Sequence, residues 1–442
     1  MKNFECLLGE SYQYNVHVAF TPNIFHLGTL NMSPNEITIQ FSCEYNRADN
    51  EEKFHWDYKE VCCQTSGLYF KLIDLEVVNY EDGVFSDSMY ERRYYRAVYS
   101  VQYVIISETP FSSNEWITGF SIVSEDINKW IGNTNKQEAI LSHYGFPLSN
   151  SIEQTEFHLV LSPDYSLACG YDINIFHNSP EYKGGISFPP KTMISYYQQV
   201  DFKRIKSDLN WLIDIFSFLI GKEIIIEKLL FIYSQPYNKQ KKVQVYFRHD
   251  KKNNQSEERQ LVFFPLGTDL RFRTEDVPEF HLNTFKTFYG LNDFNRGLIK
   301  QLLKARTMLI GEDKYLSTFR VAEKLSYKKG HKTTDNLIRA FEKIENISPS
   351  IIDNVEKMVR LRHDISHANE YTIDESTLYF YIGAVDVLAT YLIIKKLLII
   401  DDQIIAKILP RHRQLRSMVV PKIYYSENIQ KENESNNSDS LK

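Results

Sequence analysis

The chain has 442 residues, 43% of them apolar and 24% charged, which is enough for two or three domains that each bury a core. No N-terminal signal and no uninterrupted apolar run of roughly 20 residues is present, so a cytoplasmic protein is expected and a membrane or exported one is not. The five cysteines form no C-x-x-C pair, which argues against a zinc finger and a disulfide scaffold.

The first part of the chain, to about residue 190, carries the pattern of β-strands. Val, Ile, Tyr and Phe recur in short segments, several with alternating apolar and polar positions, and turn sequences such as MSPN and YEDG separate them. The predicted strands are YNVHVAF, EITIQFSCEY, LYFKLIDLEVV, YYRAVYSVQYVIIS and EFHLVLS. Together they predict an antiparallel sandwich or barrel-like module.

A single helix is predicted over residues 201–221. Leu209, Leu212 and Phe216 follow helical spacing there, and Gly221 stands where the helix should stop. Strand-like segments return after it as EIIIEKLLFIY, KVQVYFRH and LVFFPL. We therefore expect the helix to pack on the sheet of the same module, and residues 1–272 to form one β-rich N-terminal domain.

Beyond about residue 275 apolar residues recur three and four positions apart, which is typical of amphipathic helices. Five such segments follow one another: FNRGLIKQLLKARTMLI, YLSTFRVAEKLSYKK, DNLIRAFEKIEN, PSIIDNVEKMVRLRHDISHAN and ESTLYFYIGAVDVLATYLIIKKLLI. They predict an all-α bundle over residues 273–410, so the fold class is α+β. Residues 411–442 start with the basic run RHRQLR and continue as a polar tail, for which disorder is expected.

Charge is unevenly distributed along the chain. Residues 1–279 hold 26 Lys and Arg against 37 Asp and Glu, whereas residues 280–425 hold 23 against 16. A basic C-terminal region favours a polyanionic partner. An ordinary surface with a modest excess of positive charge is the alternative.

The fourth helix of the bundle places an arginine where an apolar residue is expected. Its start is marked by Ser348 as the cap and Pro349 at the first helical position. On a helical wheel Arg362 falls in the middle of the apolar arc, which includes Val355 and Leu361. A guanidinium there loses hydration and needs an anionic partner or a polar cavity.

Two histidines share one face of the same helix, because His363 and His367 are four residues apart. Histidine exchanges a proton near neutral pH, and arginine binds phosphate through paired N–H donors. These groups suit metal-independent RNA cleavage, in which the ribose 2′-OH attacks its own phosphate. Only Asp364 and Glu370 lie nearby, so no metal cage is predicted in this segment.

The run RHDISH, from Arg362 to His367, resembles the R-x-x-x-x-H signature of HEPN ribonucleases. It lies late in a five-helix bundle, as in that family, and the resemblance covers roughly residues 280–400. With the acidic β-rich module and its segment HLGTLNMSPNEITIQFS, the whole chain is similar to ApeA-type anti-phage defence proteins. The resemblance implies that Arg362 and His367 are catalytic, that His363 orients or polarises the substrate, and that two copies form a homodimer.

A structural interpretation of the same residues stays open. The histidines would be solvent-facing residues at a helix end, favoured there as partial cations. Arg362 would then form an internal ion pair with a carboxylate such as Glu323.

A basic loop precedes this helix in the bundle. The segment YKKGHKTT, residues 327–334, offers Lys328, Lys329 and Lys332 to RNA phosphates. A loop that is merely solvated would carry the same residues.

The function predicted from these features is a metal-independent endoribonuclease that halts growth during phage infection. The N-terminal domain would sense a phage-derived trigger or regulate the bundle. No cofactor is expected, and no nucleotide hydrolysis is predicted because no G-x-x-x-x-G-K-[ST] loop occurs. The alternative is a catalytically inactive HEPN-type interaction module with a β domain that binds a ligand or protein. Transfer RNA is one candidate substrate, but the sequence specifies neither the RNA nor the trigger.

Overall fold

The computed structural model describes most of the chain, and everything below concerns the described residues. These are 5–21, 24–46, 58–87, 90–112, 115–142, 155–178, 183–234, 240–248, 264, 266 and 278–411.

Fourteen strands lie in the N-terminal part of the described chain. They are β1 Tyr12–Thr21, β2 Ile24–Met32, β3 Ile37–Asn46, β4 Glu60–Thr65, β5 Leu68–Asp87, β6 Tyr90–Ser107, β7 Trp116–Val123, β8 Thr155–Ser162, β9 Tyr165–Tyr171, β10 Asn174–Asn178, β11 Lys183–Ser187, β12 Pro190–Tyr196, β13 Lys228–Ser234 and β14 Gln240–Phe247.

The first six strands close into an antiparallel barrel. β1 pairs with β2 and β4, β2 with β3, β3 with β6, and β5 with both β4 and β6. Alternating side chains fill the interior: Phe70 and Leu72 are buried, and the Phe41 ring stacks on that of Tyr99 at 5.7 Å between centroids. Gly28 is required by close packing, because a Cβ atom there would lie 2.7 Å from the Gln40 carbonyl oxygen.

The long strand β6 also leads into a second sheet. Its residues 92–100 pair with β3, whereas residues 103–106 pair with β14 on the same edge. The sheet continues in the order β14-β13-β7-β12-β9-β8, and β10 and β11 form a separate hairpin. The predicted β-rich barrel or sandwich is therefore confirmed.

Eleven α-helices complete the described structure. They are α1 Glu125–Ile131, α2 Asn135–Ser142, α3 Phe202–Ile220, α4 Pro278–Gly290, α5 Asp293–Thr307, α6 Glu312–Ser326, α7 Thr333–Phe341, α8 Pro349–Asp353, α9 Val355–Ser366, α10 Glu375–Leu392 and α11 Asp402–Ile408.

The described residues form two compact units. Those within 1–125, 136–205 and 225–257 make up a β unit, and those within 126–135, 206–224 and 258–442 a helical unit. Most of α3, which the sequence placed with the sheet, therefore groups with the helical unit. The predicted domain boundary at residue 272, the polar tail from residue 412 and most of the segment LVFFPL lie outside the described residues.

The helical unit has an aromatic core that explains this grouping. The Trp130 ring lies 5.0 Å from that of Phe216 on α3 and 6.1 Å from that of Phe285 on α4, in edge-to-face geometry. One described segment, Glu375–Leu397, is long and apolar enough to cross a membrane, but 78% of its most apolar window is buried inside the protein. It therefore has the burial of a core helix, as in a soluble protein.

Candidate active site

The helix that carries the candidate residues begins later than the sequence pattern predicts. Ser348 and Pro349 stand at the predicted start, but α8 ends before Asn354 and α9 starts at Val355. The Asn354 side chain donates from Nδ2 to the carbonyl oxygen of Ser350 at 2.7 Å. Such local bonds compete with regular helix geometry. The single predicted helix is therefore two.

The inner face of α9 is fixed against α6. Val355, Met358 and Leu361 are buried, as the helical wheel predicts. The Tyr315 hydroxyl on α6 donates to the carbonyl oxygen of Met358 at 2.5 Å, and burial raises the pKa of this phenol. A protonated donor thus ties α9 to α6 about one turn before Arg362.

The Arg362 side chain lies half-buried at the edge of this apolar face. Its Nη2 donates to Glu323 Oε2 on α6 at 3.0 Å, and 31% and 26% of the two side chains are exposed. A guanidinium has five N–H groups, and no other acceptor among the described residues hydrogen-bonds to this one. Glu323 thus balances the charge of Arg362 and leaves most of its donors uncommitted.

The second oxygen of Glu323 is also engaged. The Thr333 hydroxyl, at the start of α7, donates to Glu323 Oε1 at 3.4 Å. Three helices therefore meet at one carboxylate. Sequence reasoning named Glu323 as a partner of Arg362 but missed Thr333, because only the tertiary fold brings the start of α7 to this point.

The two histidines form an exposed pair at the end of α9. Their ring centroids are 4.4 Å apart at an interplanar angle of 48°, as their spacing predicts. His367 ends the helix, and its backbone N–H donates to the carbonyl oxygen of His363 at 3.0 Å. Ala368 follows with φ of 52°, which turns the chain sharply away. Both imidazoles are open to solvent.

The three predicted catalytic residues share the last turns of α9, but their side chains do not contact one another as a set. Within the described part of the chain, no hydrogen bond joins Arg362 to either histidine. The two geometric features of the structural interpretation, an ion pair between Arg362 and Glu323 and solvent-facing histidines, are both present. Their catalytic role stays a prediction.

The basic loop lies between α6 and α7, with Gly330 in the left-handed conformation at φ of 85°. Lys328, Lys329 and Lys332 are exposed, and their amino groups make no ion pair with the described residues. The loop connects the helix of Glu323 to Thr333. The three lysines therefore lie on the segment that joins Glu323 to Thr333, the two residues that are hydrogen-bonded beside Arg362.

An acidic groove of about 610 Å³ opens beyond the end of α9. Glu312, Glu370 and Glu375 line it with apolar side chains that include Ile365, and no Lys, Arg or His is among the described lining residues. Burial and a hydrogen bond to Glu312 raise the pKa of Tyr371, also in the lining, to about 12. This groove is unsuited to phosphate.

The described cysteine side chains lack the lowered pKa of a reactive thiolate. Cys6, Cys62, Cys63 and Cys169 are free thiols, and burial raises the pKa values of Cys6 and Cys169 to about 12. Among the described residues, no three His, Cys, Asp or Glu side chains come together as metal ligands would.

Comparison with known proteins identifies the N-terminal region. The chain matches the family described as ApeA N-terminal domain 1 over residues 21–277, more than half of its length. No curated protein and no solved structure matches. The matched range ends before α4, so it does not include Arg362, His363 or His367. The chain therefore belongs to the ApeA N-terminal domain 1 family, which supports an ApeA-like anti-phage defence protein.

Proposed function

We propose that this protein is a metal-independent endoribonuclease of the HEPN type that acts in anti-phage defence. The observation that carries the proposal is the end of α9, where a half-exposed guanidinium with uncommitted donors precedes an exposed pair of imidazoles. Proton exchange and phosphate binding are the two requirements of RNA cleavage by the 2′-OH.

In the proposed reaction one imidazole, that of His367, takes the proton from the ribose 2′-OH. The 2′-oxygen then attacks the adjacent phosphorus atom, and the bond from phosphorus to the 5′-oxygen breaks. The protonated His367 returns its proton to the leaving 5′-oxygen, so the products are a 2′,3′-cyclic phosphate and a 5′-hydroxyl. Arg362 stabilises the charge on the phosphorane, and His363 orients the phosphate.

The proposal includes a homodimer. Leu309 and Ile310, in the loop between α5 and α6, are 92% and 48% exposed, and Ile310 lines the groove that Ile365 of α9 also lines. Two adjacent apolar side chains in water gain free energy when a partner covers them. In the proposed dimer a second copy covers Leu309 and Ile310 and brings the two α9 helices together. The lysines of the basic loop contact the RNA backbone in this proposal.

A second candidate function is a catalytically inactive interaction module, favoured by the ion pair that engages Arg362. Expression in cells separates the two. The nuclease predicts growth arrest with the wild-type chain and normal growth with Arg362→Ala or His367→Ala. Arg360→Ala, on the exposed face of the same helix, is the matched control and should remain toxic. Equal growth with all four chains would favour the inactive module.

A further inference from the structure

We infer that Glu323 is an intramolecular competitor for RNA phosphate: it occupies Nη2 of Arg362 and balances the positive charge of the guanidinium until a phosphodiester displaces it. This inference rests on the proposed function and adds the way in which its site is regulated. A carboxylate and a phosphodiester are both anions that accept hydrogen bonds from a guanidinium. Glu323 and the substrate therefore compete for the same donor group.

The contacts of Glu323 hold its carboxylate in place without sealing it. Oε2 accepts from Arg362 on α9 at 3.0 Å, and Oε1 accepts from the Thr333 hydroxyl on α7 at 3.4 Å. The longer bond to Thr333 is the weaker restraint. Because both members of the pair remain partly exposed, a phosphate can approach Arg362 from solvent, and the pair itself contributes little to folding.

The basic loop provides the opposing charge. It leaves α6 shortly after Glu323 and enters α7 at Thr333, so Lys328, Lys329 and Lys332 lie on the segment that joins the two residues. A polyanion held by these lysines offsets the repulsion between Glu323 and the incoming phosphate. A small anion such as a single phosphate cannot contact the lysines and Arg362 at once. The site should therefore bind an RNA strand more tightly than a small anion.

RNA binding by the full-length chain tests the inference without cleavage. In a His367→Ala background, we expect Glu323→Gln to bind a labelled single-stranded RNA about three- to tenfold more tightly than the parent. Because one further phosphate contact becomes available, the slope of log K against log salt should steepen by about 0.7. Thr333→Val keeps the shape of the side chain, loosens Glu323 and should tighten binding about twofold, by the size expected for one weak hydrogen bond.

Two further variants make the test decisive. Glu345→Gln removes an equal charge from an exposed position of the helical unit and should change affinity less than twofold. Glu323→Ala should bind at least as tightly as Glu323→Gln. If Glu323→Gln matches the parent and Glu323→Ala binds more weakly, Glu323 positions Arg362 instead, and the inference is overturned.

The failure of the inference is distinguishable from the failure of the proposed function. Cleavage of RNA by the wild-type chain, together with unchanged affinity of Glu323→Gln in the His367→Ala background, overturns the competition alone. RNA that is neither bound nor cut by any variant overturns both. A thermal melt of each variant, expected within a few degrees of the parent, excludes unfolding as the cause.

Discussion

Two arginine–carboxylate pairs in the helical unit differ in how far they are withdrawn from water. Arg306 on α5 donates from Nε to Asp386 Oδ1 on α10 at 3.0 Å and from Nη2 to the Thr390 hydroxyl at 2.7 Å, with 11% and 13% of the charged side chains exposed. Among the described residues the Arg362 side chain makes one hydrogen bond, to Glu323, and both side chains are more exposed.

The difference separates a pair that holds the fold from one that is available to a ligand. Asp386 and Thr390 accept hydrogen bonds from two different nitrogens of Arg306. Lys314 contacts the same junction by donating to the carbonyl oxygen of Arg306 at 3.0 Å. Burial is also the main cause that lowers the pKa of Lys314. Arg362, by contrast, donates to one acceptor within the described part of the chain, so its other N–H groups are available for the proposed phosphate. The number of acceptors and the exposure, more than the ion pair itself, distinguish the two arginines.

The largest effect on stability is expected when the more buried pair, Arg306 with Asp386, is broken. Arg306→Ala removes the guanidinium that balances the largely buried Asp386 and should lower the free energy of unfolding by about 3–5 kcal/mol. Urea denaturation followed by tryptophan fluorescence measures this loss. A decrease below about 1 kcal/mol would place Arg306 in the same class as an exposed pair and would remove the contrast with Arg362.

A half-buried carboxylate on α3, that of Asp214, makes the stability of the protein depend on pH. Burial raises the pKa of Asp214 from its ordinary value of 3.8 to about 6, and the charge of Lys300 offsets only part of this shift. Because the folded pKa is the higher one, the folded state binds more protons between about pH 4 and pH 6. Stability should therefore fall as pH rises through that window, and the full penalty is present above it.

Asp214→Asn removes this penalty. The variant should be more stable than the wild type by about 2 kcal/mol at pH 7.5 and equally stable near pH 4. Urea titrations at both pH values provide the measurement, with the exposed Asp313→Asn as the control. A gain that is the same at both pH values would show that packing, and not the charge of Asp214, is responsible.

The basic loop should affect binding and not stability. Replacing Lys328, Lys329 and Lys332 together by Gln is expected to weaken RNA binding about tenfold at low salt and to reduce the salt slope by about 2. A fluorescence anisotropy titration over a range of salt concentrations measures both values. The control replaces three other exposed lysines of the helical unit, namely Lys304, Lys343 and Lys357. An equal loss of affinity in the control would show that RNA responds to the total positive charge and not to the basic loop.

The smallest effect on stability is expected when the more exposed pair, Arg362 with Glu323, is broken. Arg362→Ala should change the free energy of unfolding by less than about 1 kcal/mol, although it removes the proposed phosphate-binding group. The same urea denaturation used for Arg306→Ala allows a direct comparison. A loss as large as that of Arg306→Ala would mean that Arg362 serves the fold.

The sequence predicted the main elements because their patterns are local. Alternation predicted strands such as β1 and β6, and helical spacing predicted α3, α5 and α10. Short elements with weak patterns, such as β4 and α11, were missed. The closure of the barrel was not predictable either, because the pairing of β3 with β6 joins residues from Asn46 and Arg92, 46 positions apart, to Thr38 and Ser100, 62 positions apart. No local pattern encodes such a pairing.

The site was predictable in part for the same reason. His363 and His367 lie one helical turn apart, so their approach follows from helix geometry alone. The half-buried position of Arg362 followed from the helical wheel, and Glu323 was a plausible partner by its charge. The contact with Thr333 and the break at Asn354 were not foreseen, since they depend on side-chain bonds that residue spacing does not specify.

Cleavage of total RNA by the purified full-length chain in EDTA tests the central claim most directly, with the chemistry of the new ends determined. The account predicts fragments with 2′,3′-cyclic phosphate and 5′-hydroxyl ends, formed by the wild type and by Arg360→Ala but not by Arg362→Ala or His367→Ala. Cleavage that EDTA abolishes, or that both Arg362→Ala and His367→Ala retain, would contradict it.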